Sequence, residues 1–314
     1  MPRNLNSELS LSAGAVVTLS IAAALSCTPD LPLPDPDAHR AEVEAWQERR
    51  AESVKQPDGW LSVVGLFWLE QGANGFGSDS ANPIIFPGTD VPLYIGTFIR
   101  NGESVRMDVA PGVTVTHEGE PVTSLALSSD VSGRPVVAQH GSLRWYVIER
   151  HDQVGIRLKD TANAAIEQFD GIETFPIGSE WIIPARFDRY DPPKTIDVPN
   201  VIGFVSQQPS PGAVVFRVAG EKYRLDVTGD PNGESFFITF GDGTNGLETY
   251  GGGRFLSVDA PDEHGRMFID FNLAYNPPCV FTAFATCPLP PHQNRLPVRI
   301  EAGAKTYHSV AHLK

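Results

Sequence analysis

The chain is poor in the residues that usually announce chemistry. It has three cysteines and three methionines in 314 residues, too few for a thiolate cluster or a disulfide-dense scaffold. Positive charge is scarce: 24 Lys and Arg against 38 Asp and Glu leave a net charge of −14. An acidic surface of this kind argues against nucleic acid and against anionic lipid headgroups as partners. There is no Gly-x-Ser-x-Gly elbow, no His-Glu-x-x-His, no P-loop and no dinucleotide fingerprint. Those absences remove the easily recognised hydrolases, metalloproteases and nucleotide enzymes, and nothing in the chain calls for a cofactor. Helical periodicity is nearly missing as well. What remains is ordinary globular composition, 41% hydrophobic and 20% charged, enough for one large core or two small ones.

The N-terminus carries an address rather than a fold. Residues 13–26, AGAVVTLSIAAALS, follow Arg3 and match a signal-peptide core in length while being too short to span a bilayer. They end in Ala-Leu-Ser-Cys, which resembles a bacterial lipobox with Leu25 one place nearer the cysteine than usual. The expectation is an exported chain whose Cys27 is lipidated, residues 1–26 being the signal peptide; simple secretion is the alternative. Residues 27–36 are rich in Pro and Asp, a stiff tether that buries nothing.

Residues 37–56 read as the one clear helix, with Asp37 as its cap and Val43, Trp46 and Val54 as a sparse apolar stripe. Residues 60–71, WLSVVGLFWLEQ, form an unbroken apolar run in which Val63, Val64 and Gly65 favour strand. From there to residue 160 short β-prone segments alternate with Asn74-Gly75, Pro87-Gly88, Asn101-Gly102, Pro111-Gly112, Glu118-Gly119 and His140-Gly141. Such spacing predicts an antiparallel sandwich over residues 57–160. Residues 161–186 read as a connector with apolar pegs, in which Asp160 and Asn163 cap a turn, and residues 187–314 as a second antiparallel β unit. Its turns are placed at Pro211-Gly212, Ala219-Gly220, Asn232-Gly233, Asp242-Gly243 and Asn245-Gly246. The fold class is therefore mainly β.

The order Gly77-Ser78, then NPIIFP at residues 82–87, then EGEPV at 118–122 with Leu125 after it resembles a forkhead-associated domain. The family's phosphothreonine-reading arginine and serine have no counterparts here, so the resemblance implies a β-sandwich and not phosphopeptide binding.

The densest stretch runs over residues 236–294. DGTNG at 242–246, ETYGGGRFL at 248–256, DFNLAYNPPC at 270–279 and FATCPLPP at 284–291, with Asn294, resemble an uncharacterised bacterial and archaeal family filed among domains of unknown function. Residues 60–74 and 155–160 share the likeness. It implies no activity. Taken as residues, Glu248, Tyr250, Arg254, Asp270, Asn272, Tyr275 and Asn294 are polar groups at strand ends and tight turns, the candidate ligand-binding set. Three glycines before Arg254 let the backbone come close to another group, and Arg254 and Asp270 are expected to pair, either to order the loops or to face a pocket for a polar ligand.

Cys279 and Cys287 lie eight positions apart. In an exported chain a disulfide or an inert thiol pair comes first, then a metal site with His292 as third ligand, then a cysteine nucleophile with a histidine base. In the family it resembles, the position of His292 is usually acidic, which counts against the metal. His117, His140, His151, His264, His308 and His312 sit in turn-rich or terminal stretches and read as surface residues. Three functions stay open: an envelope lipoprotein binding a small polar ligand or a protein partner, a hydrolase using a cysteine or metal in the same segment, and a purely structural envelope protein.

Overall fold

A computed structural model describes residues 31–307, so Cys27, the leader and the last seven residues with His308 and His312 lie outside the described residues. The chain opens with helix α1 (Pro36–Lys55). Its cap is Asp35, not Asp37: the Asp35 carboxylate accepts from Ala38 N at 3.0 Å. Pro36 at the first helical position explains the choice, because its fixed φ starts the helix and its missing N–H leaves nothing to cap. Gly59 brings the chain against the end of α1, where a Cβ would meet Val54 O at 2.4 Å. A 3-10 turn at Trp60–Ser62 follows, closed by Ser62 Oγ donating to Gly59 O at 2.7 Å. The apolar run read as one strand is thus turn first and strand second.

Two sheets make the N-terminal half, with strands β1 (Val63–Trp68), β2 (Gly72–Gly77), β3 (Ile84–Ile85), β4 (Gly96–Asn101), β5 (Ser104–Val109), β6 (Val115–His117), β7 (Glu120–Val122), β8 (Ser124–Leu127), β9 (Ala138–His140), β10 (Leu143–Arg150) and β11 (Gln153–Asp160). Their orders are β1-β11-β10-β9-β6-β7 and β3-β2-β4-β5-β8, and they share a core centred on Phe76, Phe86, Phe98 and Trp145, all at most 1% exposed. The pairings are antiparallel except β2 with β3. Turn chemistry held at β6–β7, where Glu118 and Gly119 both have positive φ, the geometry that matches strand twist. It failed at Asn74-Gly75, which lies inside β2. There the Asn74 amide accepts from Glu70 N and donates to Glu70 O, both at 2.9 Å, and so builds the preceding turn with its side chain.

Asn163 caps a short helix, α2 (Ala164–Glu167). The C-terminal half then begins earlier than expected: β12 (Ile182–Pro199) already pairs with β17 (Arg266–Asp270) from Ile182 onward. β12 and β13 (Val205–Val218) form a long hairpin continued by β14 (Glu221–Asp226), and β15 (Ser235–Phe240) pairs with β16 (Arg254–Asp259). Pro211-Gly212 is strand rather than turn, with the Phe187 ring packed where a Gly212 side chain would stand. Val214, Leu225, Phe236, Ile238, Phe240, Ile269 and Phe271 form a second core. Helix α1 is seated on this half by the His39–Asp270 contact, while Val54 joins a satellite cluster with Leu61, Val280 and Phe281.

Candidate functional site

Strand β16 turns Arg254 into the interior, where it is 0% exposed. Its Nη2 donates to Asp242 Oδ2 at 2.7 Å and to Ile300 O at 2.8 Å, and Nη1 donates to Ala302 O. Asp242 in turn accepts from Thr244 N at 2.8 Å, from Thr244 Oγ1 at 2.6 Å and from Ile300 N at 3.2 Å. The expected Arg254–Asp270 pair is therefore corrected. Arg254 is taken by Asp242 and by the carbonyls of Ile300 and Ala302 in the irregular C-terminal segment, while Asp270 is engaged by His39. Burial pulls the guanidinium below its ordinary value and Asp242 opposes it; at any working pH Arg254 stays charged.

Asp270 lies elsewhere. Its Oδ2 is 2.6 Å from His39 Nε2, and its Oδ1 accepts from Asn272 N at 3.0 Å and from Asn272 Nδ2 at 2.8 Å. Asn272 also accepts from Gly178 N at 3.0 Å and donates to Gly178 O at 2.9 Å, which spends its amide on the fold. Asn294 does likewise, accepting from Asp226 N and donating to Asp226 O and Thr239 O to tie β14 to β15. Glu248 pairs with Arg299 at the surface. Tyr250 packs against the satellite cluster, and burial pushes its phenol up.

Of the candidate set, Tyr275 lines a cavity. Its backbone bridges Phe255 with hydrogen bonds at 2.9 Å in both directions, which fixes the ring. The cavity lies between α1, which supplies Trp46, Gln47 and Arg50, and a wall made by Ile172, Thr174, Ala274, Tyr275, Asn276, Phe281 and Ala304. Trp46 and Arg50, one turn apart on α1, both reach Tyr275: the indole centroid is 5.9 Å away and the guanidinium carbon 4.1 Å above the ring. Burial lowers the Arg50 guanidinium, and Tyr275 opposes that shift. Burial raises the Tyr275 phenol, against the pull of Arg50 and of a Ser257 hydrogen bond. The phenol is thus neutral at neutral pH and does not cancel the cation. Asn276, 2% exposed, donates to Lys305 O at 2.6 Å, while its Oδ1 is buried without a partner. The cavity volume is ≈ 20 Å³, room for one water-sized group.

A cationic plane, an aromatic wall and an unused acceptor thus meet at one place, and sequence reasoning found only Tyr275 of the four residues that make it. Along the sequence Trp46 belongs to the apolar stripe of the helix, and nothing in the local pattern marks Arg50 or Asn276 as site residues. The available signal was the Trp46/Arg50 spacing on one helix face and the position of Asn276 inside the dense segment.

Residues 167–305 match the model of a family described as a protein of unknown function (DUF1684). The match contains the signature segment and the wall of the cavity, but not α1, and the likeness at residues 60–74 and 155–160 lies outside it. A solution NMR structure of an uncharacterized protein from Haloarcula marismortui is 27% identical, covering 45% of this chain and 78% of its own, with a TM-score of 0.38. No curated protein matches the chain.

Cys279 and Cys287 are joined as a disulfide with a Cα separation of 6.2 Å, within the span a bridge requires. Neither is a free thiolate, and with His292 they do not converge: no group of three or more His, Cys, Asp or Glu placed to hold a metal exists among the described residues. The metal alternative is corrected on that geometry. The bridge closes the loop carrying Phe281, Thr282, which donates to Val63 O at 2.9 Å, and Thr286, which accepts from Arg150 at 3.0 Å.

The His39–Asp270 contact ties the first turn of α1 to the C-terminal half, ahead of the cavity-lining Trp46, Gln47 and Arg50. His39→Ala should lower stability by about 1 kcal/mol, the worth of one partly buried hydrogen bond. It should also speed amide exchange in the first half of α1 well beyond that in β15 and β16. Exchange in α1 as slow as in the parent would show that the helix is seated by Val43 and Val54 alone.

Proposed function

We propose that this is an exported, lipid-anchored envelope protein that binds a small polar ligand in the cleft between α1 and the signature segment. The ligand class is a polar molecule carrying a carboxylate and a hydroxyl or amino group, of which one small group enters the cleft and the rest stays at its rim. One observation carries the reading: the Arg50 guanidinium lies half-buried on Tyr275 with no carboxylate partner among the described residues, and Asn276, whose Oδ1 has no partner, lines the same cavity. A desolvated cation and a buried acceptor left open are both costly. A ligand that brings an anion to the first and an N–H or O–H donor to the second relieves both. The rim differs from the one expected from sequence, since Arg254 and Asn272 are spent on the interior.

The test is a thermal-shift panel of small α-hydroxy and α-amino carboxylates. At least one member should raise the melting temperature of the parent and leave Arg50→Met unmoved, with Asn276→Asp also silent because it replaces an amide with a second negative charge. A panel that moves nothing, or moves the parent and Arg50→Met alike, sinks the reading.

Export and anchoring rest on residues 13–27 of the sequence; among the described residues no helix is long and apolar enough to cross a membrane. Cys27→Ser should release a mature-sized protein or leave the precursor uncut. A variant that is processed and fractionates with membranes like the parent would remove the anchor from the proposal.

A further inference from the structure

A second feature of the chain lies on the outer face of the β10–β11 pair. Residues two apart on a strand share a face, and directly paired residues on neighbouring strands stand side by side. Arg144 pairs with Lys159 and Tyr146 with Arg157, so three cations and a phenol form one square. The opposite face of the same strands carries Leu143, Trp145, Val147, Ile156 and Leu158 into the N-terminal core. Beyond the square stands Trp60, whose ring lies 5.4 Å from the Arg157 guanidinium carbon.

Arg157 is the anomaly. It is 3% exposed, yet it makes no ion pair or hydrogen bond to another described residue, and its Nε and Nη2 are shut off from both solvent and acceptors. Only Nη1 reaches the surface. Other buried cations here are treated differently: Arg254 has a carboxylate and two carbonyls around it. Removing a guanidinium from water without a counter-charge is among the costliest things a fold can do. The neighbours make it worse. Lys159 sits over the Tyr146 ring, 5.7 Å from its centroid, and donates to Asp58 O. Burial draws its ammonium down to about 8; Asp58 opposes that, while the charges of Arg157 and Arg144 add to it. In a chain with net charge −14, a cluster of mutually repelling cations on one sheet face is a positive site waiting for a negative group.

We infer that Arg144, Arg157 and Lys159, walled by Trp60 and Tyr146, form a second binding site that takes an oxyanion, a phosphate or a carboxylate group. Arg157 supplies one accessible N–H, from Nη1, and a buried charge with no counter-ion, and Lys159 with Arg144 supplies charge at the mouth. The site uses none of the residues that line the α1 cleft, so it stands or falls independently of the function proposed above.

Calorimetric titration at low ionic strength with inorganic phosphate, and separately with acetate, tests this on the full mature domain. Saturable binding of at least one of the two anions to the parent is expected. Arg157→Met keeps the stem and removes the charge; it should weaken that binding at least tenfold. Arg144→Ser combined with Lys159→Met should weaken it at least fivefold while Arg157 stays in place. Phosphate alone binding points to a phosphorylated ligand, acetate alone to a carboxylate, and Arg50→Met should bind either as the parent does. If Arg157→Met fails to give the parent's near-ultraviolet circular dichroism, the mouth variant decides. Binding unchanged in Arg157→Met or in the mouth variant, or no saturable heat from either anion in the parent, overturns the site.

Discussion

Arg254→Met should destabilise the C-terminal half by roughly 3–5 kcal/mol, the cost of leaving one member of a buried ion pair without its partner. Asp242 would keep its hydrogen bonds from Thr244 and Ile300 but face no cation, and the carbonyls of Ile300 and Ala302 would lose their donor. Asp242→Leu should cost a similar amount for the opposite reason, a guanidinium stranded among Phe240, Ile300 and Ala302. The double variant should cost clearly less than the two singles added, because neither charge is then stranded. Asp270→Asn, by contrast, should add to Arg254→Met without coupling, since Asp270 is engaged by His39 and Asn272. Urea denaturation of the three single and two double variants measures all of this. A loss below 1 kcal/mol in Arg254→Met, or strong coupling between Arg254 and Asp270, would contradict the interior network described here.

Opening the Cys279–Cys287 bridge is the second large effect. A loop of this length is worth about 2–3 kcal/mol in the chain-entropy model, so Cys279→Ser with Cys287→Ser should lower the unfolding free energy read from urea denaturation by that amount. The loss should also reach the cleft. Phe281 forms part of its wall, and the same loop is pinned to the N-terminal half through Thr282 and Thr286. Amide exchange over residues 279–287 should therefore rise together with exposure of Trp46, which a fluorescence quencher reports. Adding a reductant to the parent should reproduce the double-serine variant. Insensitivity of the parent to reductant and to the serines alike would remove the bridge from the account of stability.

Much of the fold was legible because its signals are local. Glu118-Gly119 and Ala219-Gly220 sit at positive φ between paired strands as their residue types require. Asn74-Gly75 misled because an asparagine side chain can replace backbone in building a turn, and which it does depends on the neighbouring Glu70. The candidate site was legible in place but not in membership. Polar residues cluster in the signature segment, yet a sequence does not say which of them the interior consumes. Arg254, Asn272 and Asn294 were consumed because carbonyls and amides distant in the chain, at residues 300, 302, 178, 226 and 239, needed partners.

By itself the sequence determined the mainly β class, the single long N-terminal helix, the acidic surface and the stretch in which the unusual residues lie, because periodicity, turn residues and net charge are properties of neighbours along the chain. Tertiary structure alone decided that Arg254 belongs to Asp242 and Asp270 to His39, that α1 roofs a cavity with Arg50 over Tyr275, and that Arg157 is buried without a counter-charge. Each of these depends on contacts between segments far apart in sequence. Desolvation, which sets what a charge costs and what it will bind, exists only once those segments have closed around it.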